Sequence, residues 1–312
     1  MKYAVLFPGQ GSQSLRMLQA LAEREATVRA TLEEAGDHLG WSVSGLINGG
    51  PIEDLNRTER TQPCLLAAGV AVWRAWRERA TAAPLAMAGH SLGEYTALVA
   101  AGSLDFGVAL RLVELRGQLM QQAAPEGIGG MAAVIGLEDA AVEKLCESCT
   151  AGLLEPVNYN APGQVVVAGE TAALEWLDAN AKAAGARMVM RLPVSVPSHC
   201  SLMRGAAGQL AQRLAETVIQ PQTIPVLHNL DATTRTDAAG VRDALRDQLH
   251  RPVRWTQTVQ ALVAQGCEIF LECGPGKVLS GLNKRIGKLP SIALEDPAEM
   301  DRALLEVCGV RP

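Results

Sequence analysis

Residues 86–100 read AMAGHSLGEYTALVA, and the way this stretch folds decides the class of the whole chain. A short apolar run leads into Gly89-His90-Ser91-Leu92-Gly93, and a helical pattern follows. That is the G-x-S-x-G nucleophile elbow, a tight strand-to-helix turn that lifts a serine hydroxyl clear of a sheet. Glycine is needed on both sides because a side chain there would collide with neighbouring backbone. A helix starting at Leu92 would aim free N–H groups and its positive dipole end at the serine, which suits a developing oxyanion. The bland alternative is a glycine-rich turn with a helix-capping serine.

Working outward, residues 3–7 read as a short buried strand stopped by Pro8 and the turn-forming GQGSQ. Helical periodicity follows over 15–39 and 64–79, then a strand over 85–88 and a helix over 92–101. Strands alternating with helices predict a parallel, doubly wound sheet. The pattern changes at APEGIGGM, residues 124–131, where a proline and three glycines make a junction. Beyond it the expected order is strand 131–136, helix 138–149, strand 156–160, strand 164–169, helix 172–184 and strand 187–192. This β-α-β-β-α-β order is ferredoxin-like, with Asn160-Ala161-Pro162-Gly163 as its hairpin turn. LPVSVPS, residues 192–198, closes the segment. Helix 201–217, strand 224–229, helix 239–249 and strand 268–272 then resume the α/β pattern. The expected fold class is therefore α/β: a large α/β-hydrolase-like domain with a parallel sheet, residues 1–126 and 197–312, plus an inserted ferredoxin-like small domain, residues 127–196. A cleft between the two is the expected site.

The composition narrows the function. The chain has 312 residues, 48% hydrophobic and 20% charged, with a formal net charge of −5. This fits a globular enzyme and argues against a duplex-DNA binder, which normally carries a basic face. Seven scattered cysteines do not make a disulfide framework. Cys146 and Cys149 form a CxxC, but within a helical pattern and with no second Cys or His pair to complete a metal site. The apolar run at residues 4–7 is shorter than the ~7–15 residues of a signal-peptide core, and no stretch approaches the ~18 apolar residues of a membrane span. The expectation is a cytoplasmic protein with no membrane or nucleic-acid partner.

A serine of ordinary pKa needs a base, and there are five histidines, at 38, 90, 199, 228 and 250. His90 adjoins Ser91 but neighbours across such a turn point apart, so a packing or hydrogen-bonding role fits it better. His38 belongs to an amphipathic helix and its default is the surface. His199 follows Pro197-Ser198 at an expected helix start, where the dipole would keep the ring neutral and able to take a proton. His228 is the runner-up and His250 the third. Arg116 carries an independent signal. Its neighbours at i±3 and i±4 are Leu112, Val113, Leu119 and Met120, all apolar, so it projects from the buried stripe of its helix. Arg111 has Glu114 nearby and reads as solvated. A buried guanidinium requires an anion, from the protein or from a ligand, and its fork fits a carboxylate. GQGSQ could add a backbone N–H to the oxyanion site. GPGK, residues 274–277, lacks the Walker spacing and reads as a strand-to-helix turn. Lys277, Lys284, Arg285 and Lys288 form a basic strip without an acid, suited to a phosphate-bearing ligand or an acidic partner, or simply a solvated face.

With these residues placed, the chain resembles the malonyl-CoA:acyl carrier protein transacylases of bacterial fatty-acid synthesis. FPGQGSQ, TQPCLL, GHSLGEYTALVAAG, LVELRGQLMQ, PVNYNAPGQVVVAG, LPVSVPSHC, QLHRPVRW and ECGPGKVLSGLNKRI occur in that family's order. The resemblance implies Ser91 as the acylated nucleophile, His199 as general base and Arg116 as the ligand of the malonyl carboxylate. It implies backbone N–H groups of Gln10 and Leu92 as the oxyanion hole, and the Gln248 backbone carbonyl as the group orienting the histidine. Leu92 after the serine also fits the choice of malonyl over methylmalonyl. Arg16 departs from the family's usual glycine in a loop at the entrance. The implied partners are malonyl-CoA and an acidic acyl carrier protein meeting the basic strip, with no metal and no tightly bound cofactor. A serine esterase or thioesterase is the competing class. It would need an acid such as Asp178 with His199 or Asp231 with His250, and it leaves Arg116 unexplained. An inert complex-organising subunit, or the acyltransferase of a malonate decarboxylase or polyketide system, completes the alternatives.

Overall fold

The computed structural model describes residues 1–125, 127–194 and 196–310. Glu126 and Ser195, at the two expected junctions, lie outside the described residues, as do 311 and 312. The strands in chain order are β1 Tyr3–Phe7, β2 Ala86–Gly89, β3 Gly129–Ile135, β4 Leu154–Ala161, β5 Gln164–Glu170, β6 Met188–Arg191, β7 Val226–Leu227, β8 Ile269–Glu272 and β9 Ser291–Ala293.

They form two sheets. The first runs β7-β2-β1-β8-β9 with every pairing parallel. Its central strand YAVLF is apolar throughout because both faces are covered. Alternation splits it between two cores. Tyr3, Val5 and Phe7 pack with the helices spanning Ala26–Leu39, Thr58–Arg79 and Phe106–Ala123. Ala4 and Leu6 pack on the other side with Val259 and Leu262 of the Trp255–Ala264 helix. The second sheet runs β4-β5-β3-β6, all antiparallel. Ala132 and Val134 of β3 face the Asp139–Glu147 and Thr171–Asn180 helices. Met131 and Ala133 face the opposite way, towards Cys200 and Val194. The protein is thus a mixed α/β fold with a parallel sheet and a separate antiparallel one.

Strand β4 is tied to the segment before the Trp255–Ala264 helix by an isolated bridge at Val253. The Tyr159 N–H donates to the Val253 carbonyl at 2.9 Å, and the Val253 N–H to the Val157 carbonyl at 2.8 Å. Arg285 reaches from the Val278–Ile286 helix to Gln164 Oε1 at 2.5 Å and the Pro162 carbonyl at 3.1 Å, clamping the turn between β4 and β5.

Most expected elements appear within a few residues, and the departures have physical causes. The helix expected over 15–39 is two, Gln19–Arg24 and Ala26–Leu39, because Glu25 is extended between them and Arg16 and Leu18 are left-handed. The helix expected from 64 begins at Thr58 and runs through Pro63, since burial of Gln62, Pro63 and Cys64 outweighs the lost hydrogen bond. The strand expected over 224–229 contracts to Val226–Leu227. Strand β9 and the Pro297–Cys308 helix have no counterpart in that expectation. Among the described residues no helix is long and apolar enough to cross a membrane.

Candidate active site

The ends of β1 and β2 lie side by side, Phe7 opposite Gly89, so the turns that follow meet on one edge of the sheet. There the chain has no room for side chains. A Cβ on Gly89 would sit 1.8 Å from the Gly93 carbonyl carbon, and one on Gly93 would sit 2.0 Å from the Phe7 oxygen. Ser91 takes φ 52°, left-handed for a residue with a side chain, and the helix Gly93–Ala100 leaves directly behind it. Such strain persists only where the surroundings hold it. Here Asn229 does so: its Oδ1 accepts from the Ser91 N–H at 2.7 Å and its Nδ2 donates to the Gly89 carbonyl at 2.6 Å.

His199 meets the serine. Ser91 Oγ lies 2.7 Å from His199 Nε2, and His199 Nδ1 lies 2.6 Å from the Gln248 carbonyl oxygen. A carbonyl only accepts, so Nδ1 carries the hydrogen. Nε2 of the neutral ring then accepts from the serine hydroxyl. Burial drives the His199 pKa down to about 3, with Arg116 and then His90 pushing the same way. The ring is neutral as expected, but the cause differs. The turn after it is a three-residue 3-10 segment, Ser201–Met203, and desolvation and Arg116 replace the expected helix dipole.

Arg116 is 1% exposed, on the buried face of the Phe106–Ala123 helix. Its Nη1 donates to Gln62 Oε1 at 2.7 Å, and its Nη2 to Gln248 Oε1 at 3.1 Å and to Ser91 Oγ at 3.4 Å. The guanidinium carbon stands 5.5 Å from the Tyr95 ring centroid, and Nε makes no hydrogen bond among the described residues. Among the described residues no carboxylate stands within ion-pair distance of it. Burial accordingly pulls its pKa down.

Gln248 ties the machinery together. Besides its backbone carbonyl, its side-chain Nε2 donates to the Ser91 carbonyl at 2.8 Å and to Glu94 Oε2 at 3.0 Å. Glu94 is wholly buried and also accepts from His228 Nδ1 at 2.7 Å and the Asn229 N–H at 2.9 Å. This corrects the runner-up base: His228 belongs to the scaffold under the elbow and does not face the serine. His250, the third candidate, is half-buried and does not line the cavity. His90 does the hydrogen-bonding expected of it, with Nε2 2.8 Å from Asn160 Oδ1 and its ring centroid 5.5 Å from that of Trp255.

Gln10 and Leu92 line the same cavity as Ser91, Arg116 and His199. Neither backbone N–H takes a protein acceptor among the described residues. The acids required by a hydrolase triad are elsewhere: Asp178 pairs with Arg191, and Asp231 with Arg235 and Thr233. Of the basic strip, Lys277, Lys284 and Lys288 are exposed, while Arg285 is committed to the β4–β5 turn. Cys146 is a buried free thiol and Cys149 a half-buried one. Sequence reasoning missed Gln62, Glu94, Asn158, Asn160, Asn229 and the side chain of Gln248. The one available signal was Glu94, a lone acid inside the apolar run LGEYTALVA.

Comparison with known proteins matches the chain from end to end. A family model described as an acyl transferase domain matches residues 5–288. The chain is 51% identical over 307 residues to the malonyl CoA-acyl carrier protein transacylase of Salmonella typhimurium, covering 98% of this chain and 99% of that protein. It is 39% identical over 306 residues to the Bacillus subtilis protein of the same name, covering 97% and 96%. A crystal structure of an acyl carrier protein S-malonyltransferase from Vibrio cholerae superposes with TM-score 0.94 at 52% identity, covering 97% of this chain and 100% of that one. A malonyl-transacylase in complex with its type II PKS acyl-carrier protein superposes with TM-score 0.96 at 49% identity, covering 98% and 99%. With matches running the length of both chains, this protein belongs to the acyl transferase family, in the branch of the malonyl CoA-acyl carrier protein transacylases.

Proposed function

We propose that the protein moves a malonyl group from malonyl-CoA to the phosphopantetheine thiol of acyl carrier protein, through a malonyl-Ser91 intermediate, in fatty-acid biosynthesis. His199 Nε2 takes the serine proton as Oγ attacks the thioester carbonyl. The oxyanion is held by the Gln10 and Leu92 N–H groups. The tetrahedral intermediate collapses with loss of the coenzyme A thiolate, which takes the proton from His199. The carrier thiol then enters, gives its proton to His199 and collects the malonyl group by the reverse sequence. The Gln248 carbonyl does the orienting work of a triad acid, fixing the tautomer without adding a charge. Thioester exchange needs a nucleophile, a base and oxyanion donors, so no metal or tightly bound cofactor is invoked.

One observation carries the choice of acyl group. Arg116 is buried, has no carboxylate within ion-pair distance among the described residues, and points a guanidinium nitrogen at the serine oxygen from 3.4 Å. An acyl group with its own carboxylate satisfies that charge, whereas an acetyl group or a simple ester does not. The βαββαβ order and the strand order β4-β5-β3-β6 support a ferredoxin-like small domain over 127–196, inserted into an α/β-hydrolase-like domain of 1–126 and 197–312. The exposed Lys277, Lys284 and Lys288 offer an acidic carrier a positive surface, and a cytoplasmic location follows from these substrates.

Intact-mass measurement after incubation with malonyl-CoA tests the reading. The expected result is a single malonyl adduct, lost in Ser91→Ala and discharged onto holo acyl carrier protein. Prompt release of free malonate would make the protein a hydrolase, and the lack of any adduct would leave the serine inert.

A further inference from the structure

Ser201, just beyond the base in the chain, is gripped by a carboxylate from the antiparallel sheet. Glu155 on β4 accepts from the Ser201 N–H at 2.8 Å with Oε2 and from the Ser201 hydroxyl at 2.7 Å with Oε1. Among the described residues no cation stands within ion-pair distance of Glu155, so both of its oxygens serve this one residue. Hydrogen bonds to a carboxylate are charge-assisted, and a pair of them fixes both the position and the rotation of Ser201. Only Cys200 separates Ser201 from His199. His199 is itself left-handed at φ 65°, a conformation that persists only where its surroundings hold it. On one side its own N–H donates to the Leu249 carbonyl at 3.1 Å. On the other, Cys200 is buried with Met131, Ala133, Val157 and Val166 of the antiparallel sheet, and Ser201 is held by Glu155.

The same strand meets the other parts of the machinery. Asn160 Oδ1 lies 2.8 Å from Nε2 of His90, the residue before Ser91. Val157 and Tyr159 are bonded to Val253, a short way along the chain from Gln248, whose carbonyl orients His199. The elbow, the base loop and the segment that orients the base are thus all tied to β4, and Glu155 is the tie to the base loop. We propose that Glu155 is a positioning residue for the transfer reaction proposed above, on which this inference rests. Its carboxylate fixes Ser201, and through it the left-handed His199, at the distance from Ser91 that β4 sets. A serine–base contact of 2.7 Å leaves little slack, since displacing a catalytic group by about 1 Å can cost on the order of a hundred-fold in rate. The loss falls on proton transfer rather than on binding, because Glu155 does not line the cavity that holds Ser91, Arg116 and His199.

Single-turnover rates of Ser91 malonylation by malonyl-CoA, read by rapid quench and intact mass, test this. Glu155→Ala should lower the maximal rate by roughly ten-fold or more, with the half-saturating concentration little changed. Glu155→Gln should recover most of that rate, since its amide oxygen accepts from the Ser201 N–H and its amide nitrogen donates to the hydroxyl. In a His199→Ala background, Glu155→Ala should cost nothing further, because the group it positions is gone. An equal loss with and without His199 would make Glu155 structural and overturn the proposal. An unchanged rate in Glu155→Ala, or no recovery in Glu155→Gln, would overturn it too. Should Glu155→Ala not fold, Ser201→Ala, which keeps the N–H bond, should show a smaller loss that likewise disappears without His199, and the lack of any such loss would overturn the proposal. Failure of the unsubstituted protein to be malonylated would instead sink the transferase reading itself.

Discussion

At the scale of single residues the site turns on a positive charge held without its anion. Arg116 hydrogen-bonds two glutamine oxygens and faces an aromatic ring, all neutral, with the Glu94 carboxylate acting on it only from beyond ion-pair distance, and a buried charge so held costs several kcal/mol more than a paired one. Binding a carboxylate recovers that free energy, so specificity and preorganisation share one side chain. Arg116→Ala should therefore lower kcat/KM for malonyl-CoA by about 100-fold or more, with acetyl transfer unaffected or gained, measured by competition between the two thioesters. Equal losses for both would make the residue structural. The same charge acts on the base. Arg116 is the second-largest cause of the depression of His199, after burial. A malonyl carboxylate on Arg116 cancels part of it, so His199 should titrate at higher pH in the malonyl-enzyme than in the free enzyme. The acid limb for carrier malonylation by isolated malonyl-enzyme should accordingly lie above that of kcat/KM for malonyl-CoA. Coincident limbs would show that the carboxylate does not reach Arg116.

Among the elements, the strand–elbow–helix unit explains why the serine was legible and its support was not. The elbow is local: five consecutive residues, two glycines forced by backbone contact, and a helix whose pattern starts at once. Arg116 was legible for a similar reason, because helical periodicity marks a charge on an apolar stripe. Glu94, Asn229 and Gln248 carry no such mark. They come from three distant segments and acquire meaning only when the parallel sheet brings the ends of β2 and β7 and the Ala238–Gln248 helix together. Sequence leaves His228 as the runner-up base because it cannot say which carboxylate a histidine will face, here Glu94. The supporting layer makes its own prediction. Glu94 accepts from three donors, and the neutral amide of Glu94→Gln cannot satisfy all three and must turn two hydrogens on some of them. The variant should lose roughly 1–3 kcal/mol of stability, read by denaturant titration. Its kcat should fall with little change in KM, because the Gln248 contacts to Ser91, Arg116 and His199 are loosened together. A fall in stability with kcat intact would confine Glu94 to the fold.

Across the whole molecule, burial of histidine is the price of assembling the site between two sheets. The long α/β periodicities and the βαββαβ segment were legible because they repeat. The edge strand β9, three residues long, was not, since it is defined by its pairing with β8 rather than by any pattern of its own. Titration behaviour was equally hidden, because it depends on depth. His199, His90 and His250 all have pKa values below the ordinary histidine value, and burial is the first cause in each case. Below pH 6.5 the unfolded chain binds protons at these positions that the folded chain refuses, so stability present above pH 6.5 is lost as pH falls. For His199 the loss continues down to about pH 3, at roughly 1.4 kcal/mol per pH unit once the unfolded ring is charged. Glu272 and Asp139 have pKa values raised by burial and work in the opposite direction. Between pH 6.5 and about 5 three histidines contribute a loss of stability as pH falls. Urea midpoints should therefore decline steadily over that interval, and His199→Gln should flatten the decline by about one proton's worth. An unchanged slope in that variant would mean that His199 takes up its proton at the same pH in the folded and unfolded protein, so that burial does not hold the ring neutral.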